Sequence, residues 1–232
     1  MGYYAPVQSS DDLIVDILIP ARDQAAHLSQ LLAALPHAHL RSVVVIDNGS
    51  RDATASVARD QGAVVLRESR VGRGAACLRG IQHLASLPIP PDVVVFLHAD
   101  GNDDPDDIPR LVEPIRHGNA ELVVGVRDRR QRKGLERRMV LGMIKTIYGH
   151  RFHDLGPMRA IRFPALIALS LTDPSRAFDV EMQVKAIKLG LRIEEVSVTC
   201  AADDPRTSAR APRSFETTSR AVFHILRHST IR

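Results

Sequence analysis

The sequence predicts an α/β protein built on one open, mostly parallel sheet with helices on both faces. Three observations carry this. Short runs of β-branched and apolar residues recur between Leu13 and Val126. Segments of helical length and spacing separate them. Polar residues gather just after the runs, where open sheets of this kind bind ligands.

The elements follow in order. Leu13 to Ile19 is an apolar run ending at Pro20, read as a buried strand. Asp23 to Leu35 places Ala25, Leu28, Leu31, Leu32 and Leu35 at helical spacing. Ser42 to Ile46 is a second strand, closed by the turn Asp47-Asn48-Gly49-Ser50. Ser50 or Asp52 can cap the helix that runs to Gln61, and Gly62 can stop it. Ala63 to Leu66 is a third strand. Gly72-Arg73-Gly74 opens a helix reaching about Leu87. Val93 to Leu97 and Leu122 to Val126 are the fourth and fifth strands. Beyond them the pattern is less regular. Arg127 to Arg138 reads as a charged loop and Met139 to Gly149 as a helix, with Met139, Met143 and Ile147 as an apolar stripe directed to the core. His153 to Arg162 reads as a turn and an apolar pair. Phe178 to Leu189 reads as a helix stopped by Gly190, and Ile193 to Cys200 as an edge strand. Ala201 to Arg213 reads as a loop, and Ser219 to Arg227 as a short basic amphipathic helix.

Composition narrows the classes. The 232 residues suit a single α/β domain. Aromatics make up 4% and Trp is absent, which speaks against an aromatic platform for single-stranded nucleic acid. Cys77 and Cys200 show no paired spacing, so neither a disulfide scaffold nor a zinc module is expected, and a cytoplasmic setting is. No apolar stretch is long enough to cross a bilayer, and the polar start Met1 to Asp12 lacks the plan of a signal peptide. The net charge is +4, with basic residues concentrated from Arg127 to Lys145 and from Arg206 to Arg232. That distribution suits an anionic ligand or an anionic lipid surface at the inner face of a membrane.

The strand ends hold the chemistry. Pro20, Ala21 and Arg22 follow the first strand, Asp47 the second, and His98, Ala99, Asp100, Gly101 and Asn102, then Asp103 and Asp104, the fourth. An acidic residue at a strand tip among other oxygen ligands can hold Mg²⁺ or Mn²⁺ against a diphosphate. Asp47 can accept from a base or ribose. Arg73, at a helix start, can meet phosphate with help from the helix N-terminus. There is no GxxxxGK[ST] loop, and no dinucleotide glycine fingerprint follows the first strand.

The ordered segments ILIPAR, VVVIDNGSRDAT, GRGAACLRGI, VVVFLHADG, VVGVR, DLGPMRAIR and FDVEMQVKA resemble glycosyltransferase family 2, most of all its dolichyl- and polyprenyl-phosphate mannose or glucose synthase branch. The resemblance runs from about Leu13 to Val198 and implies a single GT-A-type domain, a nucleotide-sugar-binding part over 13–126 and an acceptor side over 127–232. It implies a hexosyltransferase that inverts the sugar, with a UDP- or GDP-sugar donor and Mg²⁺ or Mn²⁺. Pro20, Ala21 and Arg22 match the segment lining base and ribose, and Asp47 the aspartate contacting the base. Arg73 matches a basic position near the diphosphate. Asp100 matches the second acidic residue of the DxD motif, a metal ligand, and Asn102 an amide ligand. Arg127 and Arg159 match arginines near phosphates, while Asp154 and Glu181 match acidic residues of the acceptor region.

Two departures stand out. His98 occupies the usual place of the first DxD aspartate, where an imidazole can ligate metal or bond to ribose but brings no negative charge. After the last strand, Asp203 and Asp204 stand beside Arg206 and Arg210, the candidates for an acceptor phosphate. An ionised phosphate acceptor, such as a polyprenyl phosphate, needs cations rather than a base. A hydroxyl on a soluble acceptor needs a base, Asp154 first and Glu181 second. A non-catalytic nucleotide-sugar binder is the reading that His98 keeps open. A nucleotidyltransferase would carry a Gly-rich loop after strand one, which this chain lacks. The terminal helix suits lipid contact, or packing on the domain or on a second subunit of a homodimer, equally.

Overall fold

The computed structural model describes residues 13–128, 135–156, 158–199 and 215–229. The expected polar start, the loop 201–213, Cys200, Arg206 and Arg210 lie outside them. The elements are β1 (Val15–Ala21), α1 (Ala25–Ala33), β2 (Ser42–Asp47), α2 (Thr54–Asp60), β3 (Val64–Arg67), α3 (Arg73–Ala85), β4 (Val93–Phe96) and α4 (Ile108–Arg116). There follow β5 (Leu122–Val126), α5 (Leu135–Tyr148), β6 (Arg159–Arg162), α6 (Phe163–Ala168), α7 (Phe178–Lys188), β7 (Ile193–Ser197) and α8 (Phe215–Ser229).

The seven strands form one sheet in the order β3-β2-β1-β4-β6-β5-β7. β1 pairs in parallel with β2 and β4, β2 with β3, and β5 with β7. The expected βαβ units are therefore present, and β7 lies at an edge as its sequence suggests. β6 runs antiparallel between β4 and β5. The sequence shows there only a turn followed by an apolar pair, because only Ala160 and Ile161 are apolar in a strand bounded by two arginines.

Two hydrophobic clusters cover the two faces. Leu18, Val44, Ile46, Val94 and Phe96 face α3, α5 and α7. Ile17, Ile19, Val45 and Val95 face α1 and α4. Successive strand residues thus point to opposite clusters, and each β-branched run is buried on both sides. Three readings are corrected. α4 was missed because acidic residues and Pro109 and Pro114 mask its apolar face of Ile108, Leu111, Val112 and Ile115. The charged stretch read as a loop already enters α5 at Leu135. The core face of α5 is Val140 and Ile144, whereas Met139 and Ile147 are exposed.

Candidate active site

At the carboxyl ends of β1, β2 and β4 opens a cleft of ≈ 1160 Å³. Pro20, Ala21, Arg22, Arg73, His98, Ala99 and Asp100 line it, as the sequence reading expects. Asn48, Arg51 and Asp52 extend its first wall, and Pro174, Ser175, Arg176 and Arg220 its second. The first wall is cross-tied. Asp23 Oδ1 accepts from Arg51 N at 2.7 Å, and Ser50 Oγ accepts from Asp23 N at 3.0 Å. These bonds hold Asp23 at φ 53°, a conformation that costs a non-glycine residue energy and needs such support.

The second wall is a clamp on the start of α3. Gly74 N donates to Ser175 O and Ala75 N to Pro174 O. A Cβ on Gly74 would lie 2.1 Å from Asp173 O, so only glycine admits this approach. The clamp corrects one expectation in part: the Gly74 and Ala75 N–H groups at the α3 start are satisfied by loop carbonyls rather than held open for phosphate. The cation at this point is Arg73 itself. Its Nη1 donates to Asp179 Oδ1, which also accepts from Arg159 Nη1. Burial opposes the Asp179 charge, but Arg159 and Arg73 outweigh it and hold the carboxyl at about 2. Two guanidiniums share one carboxylate, which leaves an excess positive charge. Arg73 Nε and Nη2 are buried with no hydrogen-bond partner among the described residues. Unpartnered charged donors in a cleft wall are an anion site in waiting.

At the tip of β4, Asp100 Oδ1 accepts from Asn102 N at 3.2 Å. Among the described residues no group of three His, Cys, Asp or Glu side chains could hold a metal. Asp100 and His98 offer two ligands at one strand tip. A hard cation that completes its shell with phosphate and water fits that set.

Several expected residues stand elsewhere. Asn102 and Asp47 do not line the cleft, and Asp47 Oδ1 caps Ser50 N at 3.0 Å. Arg159 is fully buried, with Nη2 on Leu155 O and Gly156 O, and cannot reach an acceptor. Arg127 does not line the cleft. It is spent on Asp154, with Nε and Nη2 donating at 2.8 and 3.1 Å. Asp154 is completely buried and also takes Arg137 Nη1 at 3.3 Å. Burial raises its pKa, but the bond from Arg127 and the neighbouring charges leave it lowered, the reverse of what a general base needs. Glu181 accepts from Thr172 N, Thr172 Oγ1 and Asp173 N and pairs with Lys185 at 2.8 Å. It anchors the clamp loop. Asp179 is a residue that sequence reasoning missed, whereas Asp103 is read from the sequence only as a further acid after the fourth strand. Asp179 lies within a quoted segment, but its partners come from distant parts of the chain.

A family model, glycosyl transferase family 2, matches residues 16–170. An uncharacterized glycosyltransferase of Mycobacterium tuberculosis is 33% identical over 205 residues, spanning 85% of this chain and 88% of that protein. The undecaprenyl-phosphate 4-deoxy-4-formamido-L-arabinose transferase of Pseudomonas aeruginosa is 33% identical over 165 residues, 64% of this chain and 47% of that one. Among solved structures, glucosyl-3-phosphoglycerate synthase of Mycobacterium tuberculosis, in complex with Mn²⁺, UDP and glucosyl-3-phosphoglycerate, superposes with a TM-score of 0.77. The identity is 20%, covering 100% of this chain and 88% of that chain.

Proposed function

The chain belongs to glycosyltransferase family 2, and from that premise we propose that its cleft binds a nucleotide-sugar with a divalent cation and transfers the hexose to an acceptor bearing a phosphate. The carrying observation is Arg73, whose Nε and Nη2 lie buried and without a hydrogen-bond partner among the described residues in the wall of the cleft that Asp100 also lines. These donors suit a diphosphate, and Pro20 to Arg22 and Asn48 to Asp52 suit the nucleoside beyond it.

A divalent cation held by Asp100 and His98 would supply Lewis-acid neutralisation of the leaving diphosphate. Arg73 would donate to the same oxygens and strengthen its hold as charge builds there. Asp179 fixes the Arg73 guanidinium, and Arg159 keeps Asp179 ionised. The acceptor oxygen would attack the anomeric carbon from the face opposite the diphosphate, with inversion.

The phosphate on the acceptor is supported by the carboxylates of the acceptor side. Asp154, Asp173, Asp179 and Glu181 are all held below their ordinary range by hydrogen bonds and nearby cations, against the opposing effect of burial. None is a good proton acceptor, whereas an ionised phosphate oxygen requires none. Arg176 and Arg220 bring positive charge to that wall. A relative named for undecaprenyl phosphate is in keeping with this reading.

The test is product analysis. The chain is incubated with Mn²⁺ and UDP-glucose, UDP-GlcNAc or GDP-mannose, with 3-phosphoglycerate or undecaprenyl phosphate in detergent as acceptor. Release of nucleoside diphosphate that depends on one of these acceptors is expected. Release of pyrophosphate, or turnover with neutral sugars alone, would contradict the proposal.

A further inference from the structure

His98 is not alone at its strand tip. Its backbone N donates to Asp103 Oδ2 at 2.7 Å, and its ring Nδ1 lies 3.2 Å from the same oxygen. Asp103 is only 5% exposed, and its Oδ1 is buried with no partner among the described residues. An ionised carboxylate has no proton to give, so the bond requires His98 to donate Nδ1–H. The lone pair then resides on Nε2. The ring lines the cleft beside Asp100, and Nε2 makes no hydrogen bond to another described residue. A carboxylate behind an imidazole is the arrangement that fixes the tautomer and raises the basicity of a ligating histidine.

We propose that Asp103 is a positioning residue that turns His98 into a fixed Nε2 acceptor facing the bound nucleoside diphosphate, so that the His98–Asp103 pair carries the negative charge of the aspartate expected at position 98. This rests on the donor-site reading above. The lone pair has two possible takers of one chemistry, the divalent cation or a ribose hydroxyl.

The experiment titrates UDP and GDP, each with Mn²⁺, into wild type, Asp103→Asn, His98→Ala and the double variant by calorimetry. Asparagine keeps an acceptor for His98 N, which preserves the turn. Each single variant is expected to bind the Mn²⁺–nucleotide roughly 10–100-fold more weakly, and the double variant no worse than the weaker single. Electron spin-echo modulation from a histidine nitrogen on bound Mn²⁺, absent in His98→Ala, assigns the lone pair to the cation. If that modulation is missing, a loss of affinity for deoxyribose analogues in wild type but not in His98→Ala assigns it to ribose. Affinity of Asp103→Asn within twofold of wild type, or losses that simply add in the double variant, would overturn the proposal. Should Asp103→Asn fail to fold, His98→Ala binding within twofold of wild type would overturn it. Wild type that binds neither nucleotide would instead sink the donor-site reading.

Discussion

Asp179 is shared by two arginines, Arg73 of the cleft wall and the buried Arg159. Removing one partner from such a group is costly because the remaining charges stay desolvated. Asp179→Asn is expected to destabilise the fold by about 3–5 kcal/mol in denaturant titration. The pH dependence has a definite sign. The Asp179 carboxyl is depressed to about 2 from an ordinary 3.8, so its contribution is complete above pH 4 and is lost as pH falls from there toward 2. Asp154, Asp173 and Glu181 are shifted the same way and add to that acid loss. Melting temperature should fall steeply below pH 4 in wild type and less steeply in Asp179→Asn, and equal slopes would contradict this account. Arg73, His98 and Asp100 were legible in the sequence because each sits at a strand tip or helix start, a position fixed by local pattern. Asp103 was legible only as a further acid after the fourth strand, because its contact with His98 appears only when the turn folds its carboxylate back onto the His98 ring. Asp154 and Glu181 were assigned as bases because a sequence shows a carboxylate but not the donors already bound to it.

At the scale of elements, the clamp between the α3 start and the loop before α7 shapes the cleft. Gly74 has carbonyl oxygens of Asp173 and Ser175 at 2.1 and 2.7 Å from the place of a Cβ, and neither is a side chain that can swing away. Gly74→Ala is therefore expected to cost about 1–3 kcal/mol and to weaken nucleotide binding together with stability. Unchanged melting temperature and affinity would show that the loop does not depend on this contact. The loop is held from behind by Glu181 and, through Asp173, by His224 of α8 at 2.8 Å. The alternation of strands and helices up to β5 was visible because each strand is an apolar run buried on both faces. β6 was hidden because it is short and arginine-flanked, and α4 because its prolines and acids obscure an apolar stripe that only the sheet beneath explains.

For the whole molecule, the basic excess noted in the sequence separates into distinct uses. Arg73 and Arg159 are internal, Arg127 and Arg137 are bound to Asp154, and Arg176 and Arg220 reach the cleft wall. The terminal helix α8 packs Ala221 and Ile225 inward and leaves Phe223 and Leu226 exposed, and Tyr148 Oη donates to Ile225 O at 2.6 Å. Among the described residues no helix is long and apolar enough to cross a membrane. All these parts converge on one cleft and one claim, that it holds a nucleoside diphosphate through Arg73 and a divalent cation through Asp100. The most direct test is a thermal-shift comparison of UDP, GDP, UDP-glucose and GDP-mannose, with and without Mn²⁺, on wild type, Arg73→Gln and Asp100→Ala. A ligand of the native state raises the melting temperature by mass action, by about 2.7 kcal/mol of added stability at a hundredfold excess over its dissociation constant. The account expects a Mn²⁺-dependent rise with at least one nucleotide in wild type. Arg73→Gln should reduce it, and Asp100→Ala should remove its metal dependence. No rise with any nucleotide, or a rise indifferent to Mn²⁺ and to both substitutions, would contradict it.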